Sequence, residues 1–107
     1  SYAGLPSSPY AEVKQRICPK GAGGLMSIKV KSGYDGCVSL VEKLSIFSHV
    51  ANLGDAKSLI IHPASTTHRQ LKPEQQAAAG VAPDVVRLSI GIEDTQDLIA
   101  DLDQALS

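Results

Sequence analysis

The sequence predicts an α+β fold, with one four-stranded, mainly antiparallel sheet and the helices gathered on one face. Three observations carry that prediction. Residues 25–31 and 85–90 alternate apolar with polar side chains, the period of a half-buried strand. Residues 34–44 and the stretch after Asp94 place apolar side chains at helical spacing. Clusters of Gly and Pro separate these segments, so the chain turns back repeatedly within 107 residues.

Taken in order, residues 1–10 contain Gly4, Pro6 and Pro9 with three serines, which is linker composition. Residues 10–17 read as a short helix, ended by Pro19 and by Gly21, Gly23 and Gly24. In the first strand, Met26, Ile28 and Val30 share one face, and Ser27, Lys29 and Lys31 share the other. Cys37, Leu40, Val41 and Leu44 then fall at i, i+3, i+4 and i+7, the stripe of an amphipathic helix. Residues 46–51 predict a second strand and residues 58–61 a short third.

Pro73 opens a helical turn with Gly80 placed as its stop. Its N-cap would be Lys72, which has no acceptor to offer, so this helix is expected to be marginal. The fourth strand puts Val86, Leu88 and Ile90 on one face and Arg87 and Ser89 on the other. The last helix starts at Asp94 as N-cap, with Asp97 favourable at the positive end of the helix dipole. Leu98, Ile99, Leu102, Ala105 and Leu106 form its expected apolar stripe, with Asp101 and Asp103 off it. The sheet face away from the helices would carry Lys29, Lys31, Arg87 and Ser89, and is expected to be exposed in isolation.

Composition narrows the function. Hydrophobic content of 43% and charged content of 20% are those of a soluble globular domain. Ten basic and eleven acidic residues give a net charge of −1, with no electrostatic footprint for nucleic acid or an anionic membrane. Three Tyr, one Phe and no Trp offer little for stacking on bases. No apolar run approaches the ~20 residues of a membrane span, and residues 1–10 lack the basic start and apolar block of a signal peptide. Cys18 and Cys37 have no metal spacing. They read as free thiols, which points to a reducing, cytoplasmic setting.

Two segments bear on chemistry. Arg87, in mid-strand, is held where its planar fork can take a carboxylate through two parallel hydrogen bonds; the competing role is a structural ion pair with Glu93. His62-Pro63-Ala64-Ser65-Thr66-Thr67-His68 could bring hydroxyls to the same place. His62 and His68 are six apart across a proline with no third ligand candidate, so no metal is expected. A Ser65–His68 nucleophile pair lacks an orienting acid and an oxyanion hole. The glycine-rich Lys20-Gly21-Ala22-Gly23-Gly24 precedes a strand rather than a helix, so it is not a phosphate loop. Together the two segments suggest a site for an amino-acid-like anion, with nothing that reacts with it.

Several longer strings carry a resemblance. They are Tyr2-Ala3-Gly4-Leu5-Pro6 with Ser8-Pro9, Gly23-Gly24 and its following strand, and His49-Val50-Ala51-Asn52-Leu53-Gly54-Asp55. The His62–His68 run, Arg87 to Glu93, and Asp97-Leu98-Ile99-Ala100-Asp101-Leu102 complete the set. Through them the chain resembles the C-terminal small domain of the pyridoxal-phosphate-dependent Cys/Met metabolism enzymes, of fold type I, over nearly its whole length. Phe47 to Asp55 and Pro63 to Leu71 most resemble the O-acetylhomoserine sulfhydrylases. The lyases and synthases of the family usually have serine at Asn52 and methionine at Thr66.

The resemblance implies a homocysteine- or methionine-forming reaction of O-acetyl-L-homoserine with sulfide or a thiol, with O-succinylhomoserine left open as the substrate. It implies that Arg87 binds the substrate α-carboxylate, that Asn52 and Leu53 line the same place, and that Thr67 helps hold Arg87 or the substrate. Residues 1–10 would be the remnant of an interdomain linker and residues 11–107 the substrate-binding domain. Pyridoxal phosphate, its Schiff-base lysine and the large domain that holds them are expected outside this chain. None of the seven lysines here sits in a matching motif, so no cofactor-binding or catalytic residue is assigned. The expected partners are that large domain and O-acetylhomoserine, in a parent enzyme that is a homo-oligomer; the domain alone would be inactive. The alternatives are a stand-alone small-molecule-binding or regulatory domain, and the small domain of a cystathionine synthase, cystathionine lyase or methionine γ-lyase.

Overall fold

The structure is a computed structural model and describes residues 1–107. Its helices are α1 (Ala11–Ile17), α2 (Gly33–Lys43), α3 (Pro73–Ala78) and α4 (Thr95–Leu106), and its strands are β1 (Leu25–Lys29), β2 (Ser48–His49), β3 (Leu59–Ile61) and β4 (Val85–Ser89). A single 3-10 turn, Pro63–Ser65, follows β3. The strands form one sheet in the order β1-β4-β3-β2. β4 runs antiparallel to both of its neighbours, and only the β2–β3 pairing is parallel. The expected α+β class and mainly antiparallel sheet are therefore observed.

The alternating pattern of β4 sets the core. Val86 and Leu88 point toward α2 and α4, where they meet Cys37, Leu40, Leu98 and Ala105 together with Phe47 and Ile60. Burying these side chains at about 25 cal/mol per Å² supplies the main driving force for the fold. Both cysteines are free thiols: Cys18 is exposed, and Cys37 is fully buried in the core. Burial, and secondarily the charge of Asp84, push the Cys37 thiol above its ordinary value, so it serves as an inert core group.

Several expectations need correction. β2 has two residues instead of six, because the backbone just before it is taken by another partner. The Asp101 carboxylate accepts from the N–H of Ser45 (2.9 Å) and of Ile46 (2.8 Å). Asp101 is thus buried in the α4 interface and does not lie off the packing face. Leu98 and Ala105 are buried as expected, whereas Ile99 and Leu106 are more than half exposed.

The sheet face opposite α2 and α4 is not bare. Ser89 is buried, and Leu59 and Ile61 are buried beside it, while Lys29 and Lys31 stay exposed. A loop between β2 and β3 crosses this face and is pinned by the Gly54 N–H donating to Ser89 Oγ (3.3 Å). β3 is accordingly apolar throughout, as a strand covered on both sides requires.

α3 forms despite its poor cap. The Lys72 N–H donates to Gln75 Oε1 (3.0 Å), which is the backward half of a capping box. At the other end Gly80 takes φ +73°, with Gly80 N–H bonded to Ala77 O and Val81 N–H to Gln76 O, a Schellman stop.

Desolvation pushes the Asp101 carboxyl up, but the N–H groups of Ser45 and Ile46 and the Gln104 amide outweigh it and hold the carboxyl below its ordinary value of 3.8. Stability drawn from Asp101 is therefore complete above 3.8 and is lost as the pH falls through the lower folded value. Asp101→Ala is expected to destabilise the fold by about 2 kcal/mol at neutral pH. Thermal unfolding followed from about pH 6 to pH 2 should show the wild type losing part of its advantage over the variant at the acid end.

Candidate functional site

Arg87 sits at the middle of β4, between Ser27 of β1 and Ile61 of β3 in register. Val86 and Leu88 are committed to the core, so the period of the strand leaves Arg87 on the opposite face. Its Nη2 donates to Asn52 O (3.3 Å) and to Ala51 O (3.5 Å), at the start of the loop that crosses that face. These carbonyls set the direction of the guanidinium and engage only one of its nitrogens. The expected competitor, Glu93, is occupied elsewhere. Its carboxylate accepts from Ser58 N–H (2.7 Å) and Ser58 Oγ–H (2.8 Å), and these bonds hold it below the usual carboxylate range. Gly91 approaches the same clip so closely that a Cβ there would meet Ala56 O and the Lys57 backbone.

The segment after β3 builds the second wall. His62 is buried, with its Nε2 2.8 Å from Pro83 O and its ring edge-on to Tyr34. Pro83 O can only accept, so Nε2 carries the proton. Ser65 Oγ (3.2 Å) and Thr66 Oγ1 (2.8 Å) both donate back to His62 O, which curls the chain over Ile61. Thr67 Oγ1 lies 2.8 Å from His68 Nδ1, and Thr67 itself is exposed. Ser65 therefore bonds backbone and does not pair with His68.

Gln76 holds this wall in place, and its part was not legible in the sequence. Its amide donates to Ala64 O (3.1 Å) and His68 O (3.0 Å) from a buried position on α3. The only available signal was a glutamine on a helix too short to stand alone.

Between the two walls lies an open cleft of about 420 Å³, lined by His49, Val50, Ala51, Ile61, Ser65, Thr66, Thr67 and Arg69. Of the four residues expected to form the site, the structure brings Arg87 onto the backbone of Asn52 and places Thr67 in the adjoining cleft. Thr67 does not bond to Arg87. Leu53 is largely exposed and lines a separate shallow pocket with Gly54 and Ser89. Ala51 and Arg69 were not foreseen. Ala51 acts through its carbonyl, which side-chain reasoning cannot detect.

A half-buried arginine on this α+β domain is oriented by backbone carbonyls beside a hydroxyl-lined cleft, and it keeps guanidinium N–H groups that can meet an anion. The chain belongs to the Cys/Met metabolism PLP-dependent enzymes, whose family model matches residues 1–107. It is 45% identical over its full length to O-acetyl-L-homoserine sulfhydrylase 1 of Thermus thermophilus, and covers 25% of that protein. It is 41% identical over 99% of its length to O-succinylhomoserine sulfhydrylase of Pseudomonas aeruginosa, covering 26% of it. A crystal structure described as an O-acetylhomoserine (thiol)-lyase from Campylobacter jejuni, carrying pyridoxyl-lysine monophosphate, superposes with a TM-score of 0.90. The identity there is 45%, over 98% of this chain and 25% of that one.

The chain thus spans about a quarter of the length of these relatives. Pyridoxal phosphate is the cofactor of the family, but no lysine lines the cleft described here, so these residues offer no amine to hold it. No helix is long and apolar enough to cross a membrane.

Replacing Gln76 by Ala leaves the buried carbonyl of Ala64 without its donor and leaves that of His68 with the Leu71 N–H alone (3.0 Å). Unfolding in urea should show a loss of about 1–3 kcal/mol, the cost of a buried group left unpaired.

Proposed function

We propose that this chain is the substrate-binding domain of a PLP-dependent O-acetylhomoserine sulfhydrylase, in which Arg87 receives the α-carboxylate of the amino-acid substrate. The observation that carries the reading is the guanidinium itself. It is fixed by the carbonyls of Ala51 and Asn52, is not neutralised by Glu93, and borders a cleft of substrate size. Asn52 would border the carboxylate position through its backbone, with Leu53 next to it in the same loop, and Thr67 would contribute a hydroxyl from the opposite wall. The relatives named for sulfhydrylase activity support the reaction class.

In that role the chain binds and orients. The cofactor, held by the large domain of the parent, supplies the electron sink for the carbanion chemistry. Holding the carboxylate fixes how the bonds at the substrate Cα stand relative to the cofactor ring, and orientation of this kind can lower a barrier by several kcal/mol. The seat of that large domain includes α1, none of whose residues is buried. Tyr10, Val13 and Ile17 expose an apolar face along it. On this reading residues 1–10 lead in from the large domain, the parent is a cytoplasmic homo-oligomer, and residues 1–107 alone have no turnover.

The test is Arg87→Ala in the full-length enzyme. The expected outcome is a fall of about a hundredfold or more in kcat/KM for O-acetylhomoserine, with the pyridoxal phosphate absorbance retained. Arg87→Lys should recover little, because a point charge does not reproduce the planar fork. Loss of the cofactor absorbance in Arg87→Ala would count against the assignment.

A further inference from the structure

The loop whose carbonyls turn Arg87 is clasped at every second residue from Arg87 onward. Arg87 Nη2 donates to Ala51 O and Asn52 O, and Ser89 Oγ accepts from the Gly54 N–H (3.3 Å). The Gly91 N–H then donates to Ser58 Oγ (2.9 Å), which is itself bonded to Glu93. Strand alternation puts Arg87 and Ser89 on one sheet face, so the clasps follow the order of the loop they hold. Ser89 is the middle clasp. No other group bonds the backbone of Leu53 or Gly54.

Two features give that clasp its strength. Ser89 is only 5% exposed, so little water competes for its hydroxyl. Gly54 takes φ +68°, the left-handed region that favours glycine, and this turn aims its N–H at the strand. The carbonyls of Ala51 and Asn52 lie just upstream and accept from Arg87 alone. An anion arriving at Arg87 competes with those carbonyls for the guanidinium N–H groups. With the turn anchored separately at Ser89, the guanidinium can meet the anion while the loop stays in place.

We infer that Ser89 is a positioning residue for the substrate α-carboxylate: its hydroxyl holds the turn at Gly54, and through the carbonyls of Ala51 and Asn52 it presents Arg87 to the ligand. The inference rests on the reading of Arg87 as the α-carboxylate site. Ser89 itself does not touch the substrate; it acts through Arg87. Once the carboxylate is paired, the ion pair holds the guanidinium, so loss of the clasp falls on KM more than on kcat. A shallow pocket of about 150 Å³, lined by Ser89, Leu53 and Gly54 among others, leaves room beside the hydroxyl for one more methyl group. Threonine can therefore take the same role.

The experiment measures kcat and KM for O-acetyl-L-homoserine in the full-length enzyme, with Ser89→Ala, Ser89→Thr, Gly54→Ala, Arg87→Ala and the Ser89→Ala/Arg87→Ala double variant. Ser89→Ala should raise KM about fivefold with kcat within about twofold, the loss of one hydrogen bond. Ser89→Thr should return KM to within about twofold of wild type. Gly54→Ala strains the same turn without touching β4 and should raise KM as Ser89→Ala does, so it carries the test if Ser89→Ala does not fold. In the Arg87→Ala background, Ser89→Ala should change kcat/KM by less than about twofold, because the group it acts through is gone. Amide hydrogen exchange of residues 51–54 should quicken in Ser89→Ala. An unchanged KM, a fall in kcat alone, or an equal loss in both backgrounds overturns the inference. A wild type that does not turn over this ester, or an Arg87→Ala variant that keeps its kcat/KM, brings down the carboxylate reading and the role of Ser89 with it. If Arg87→Ala is impaired and Ser89→Ala is not, the role of Ser89 fails alone.

Discussion

The register of β4 is the constraint on which everything else depends. Val86 and Leu88 are almost wholly excluded from solvent against α2 and α4. Because side chains alternate along a strand, that burial decides where Arg87 stands. A slip of one residue would send the guanidinium into the core and the valine to the site. The two antiparallel neighbours fix the same register from both sides, through Ser27 on β1 and Ile61 on β3. The position of the cation is thus set by apolar packing on the opposite face of the sheet.

Around that strand, short polar clips replace the hydrogen bonding that longer strands would have supplied. Asp101 takes the N–H groups ahead of β2, Glu93 ties the end of β4 to the start of β3 through Ser58, and Gln76 gathers the carbonyls of Ala64 and His68. Each is a side chain satisfying backbone groups outside the regular ladders, and where such a group is buried, as the Ala64 carbonyl and the Ser58 N–H are, leaving it unpaired costs more than the bond itself returns in water. The clips are also what shapes the site, because all three hold irregular chain. The loops bearing Asn52 and Thr67 stand on irregular backbone, and irregular backbone is stable here only where a side chain reaches in to complete it.

This explains how far the sequence could be read. The periods of β1, β4, α2 and α4 are local properties, and they reported the elements and most of the core correctly. Asp94 capped its helix as expected, with Oδ1 accepting from Gln96 N–H at 2.8 Å. The failures share one cause. Asp101 looks like a solvated acid and residues 46–51 look like a full strand, because each depends on a hydrogen bond to a distant residue that no local pattern records. Ser89 reads as exposed for the same reason, since the loop that covers it is placed by Gly54 and Arg87. At the site, alternation alone singled out Arg87. Asn52, Leu53 and Thr67 came only through family resemblance, and the structure places them in different settings: a backbone carbonyl, an exposed side chain and a cleft wall.

Arg87 illustrates how a cation can be set in one orientation without an enclosed pocket. A guanidinium on a long side chain has many rotamers, and ordering it on binding costs free energy. Here the carbonyls of Ala51 and Asn52 have already fixed it, while the remaining N–H groups stay available. The loop supplying those carbonyls is in turn secured to Ser89, two residues along the same strand. The cation therefore orients the loop and the loop orients the cation, both referred to β4. Preorganisation of this kind suits the role proposed for the domain, in which a carboxylate would meet a donor array already set by the core.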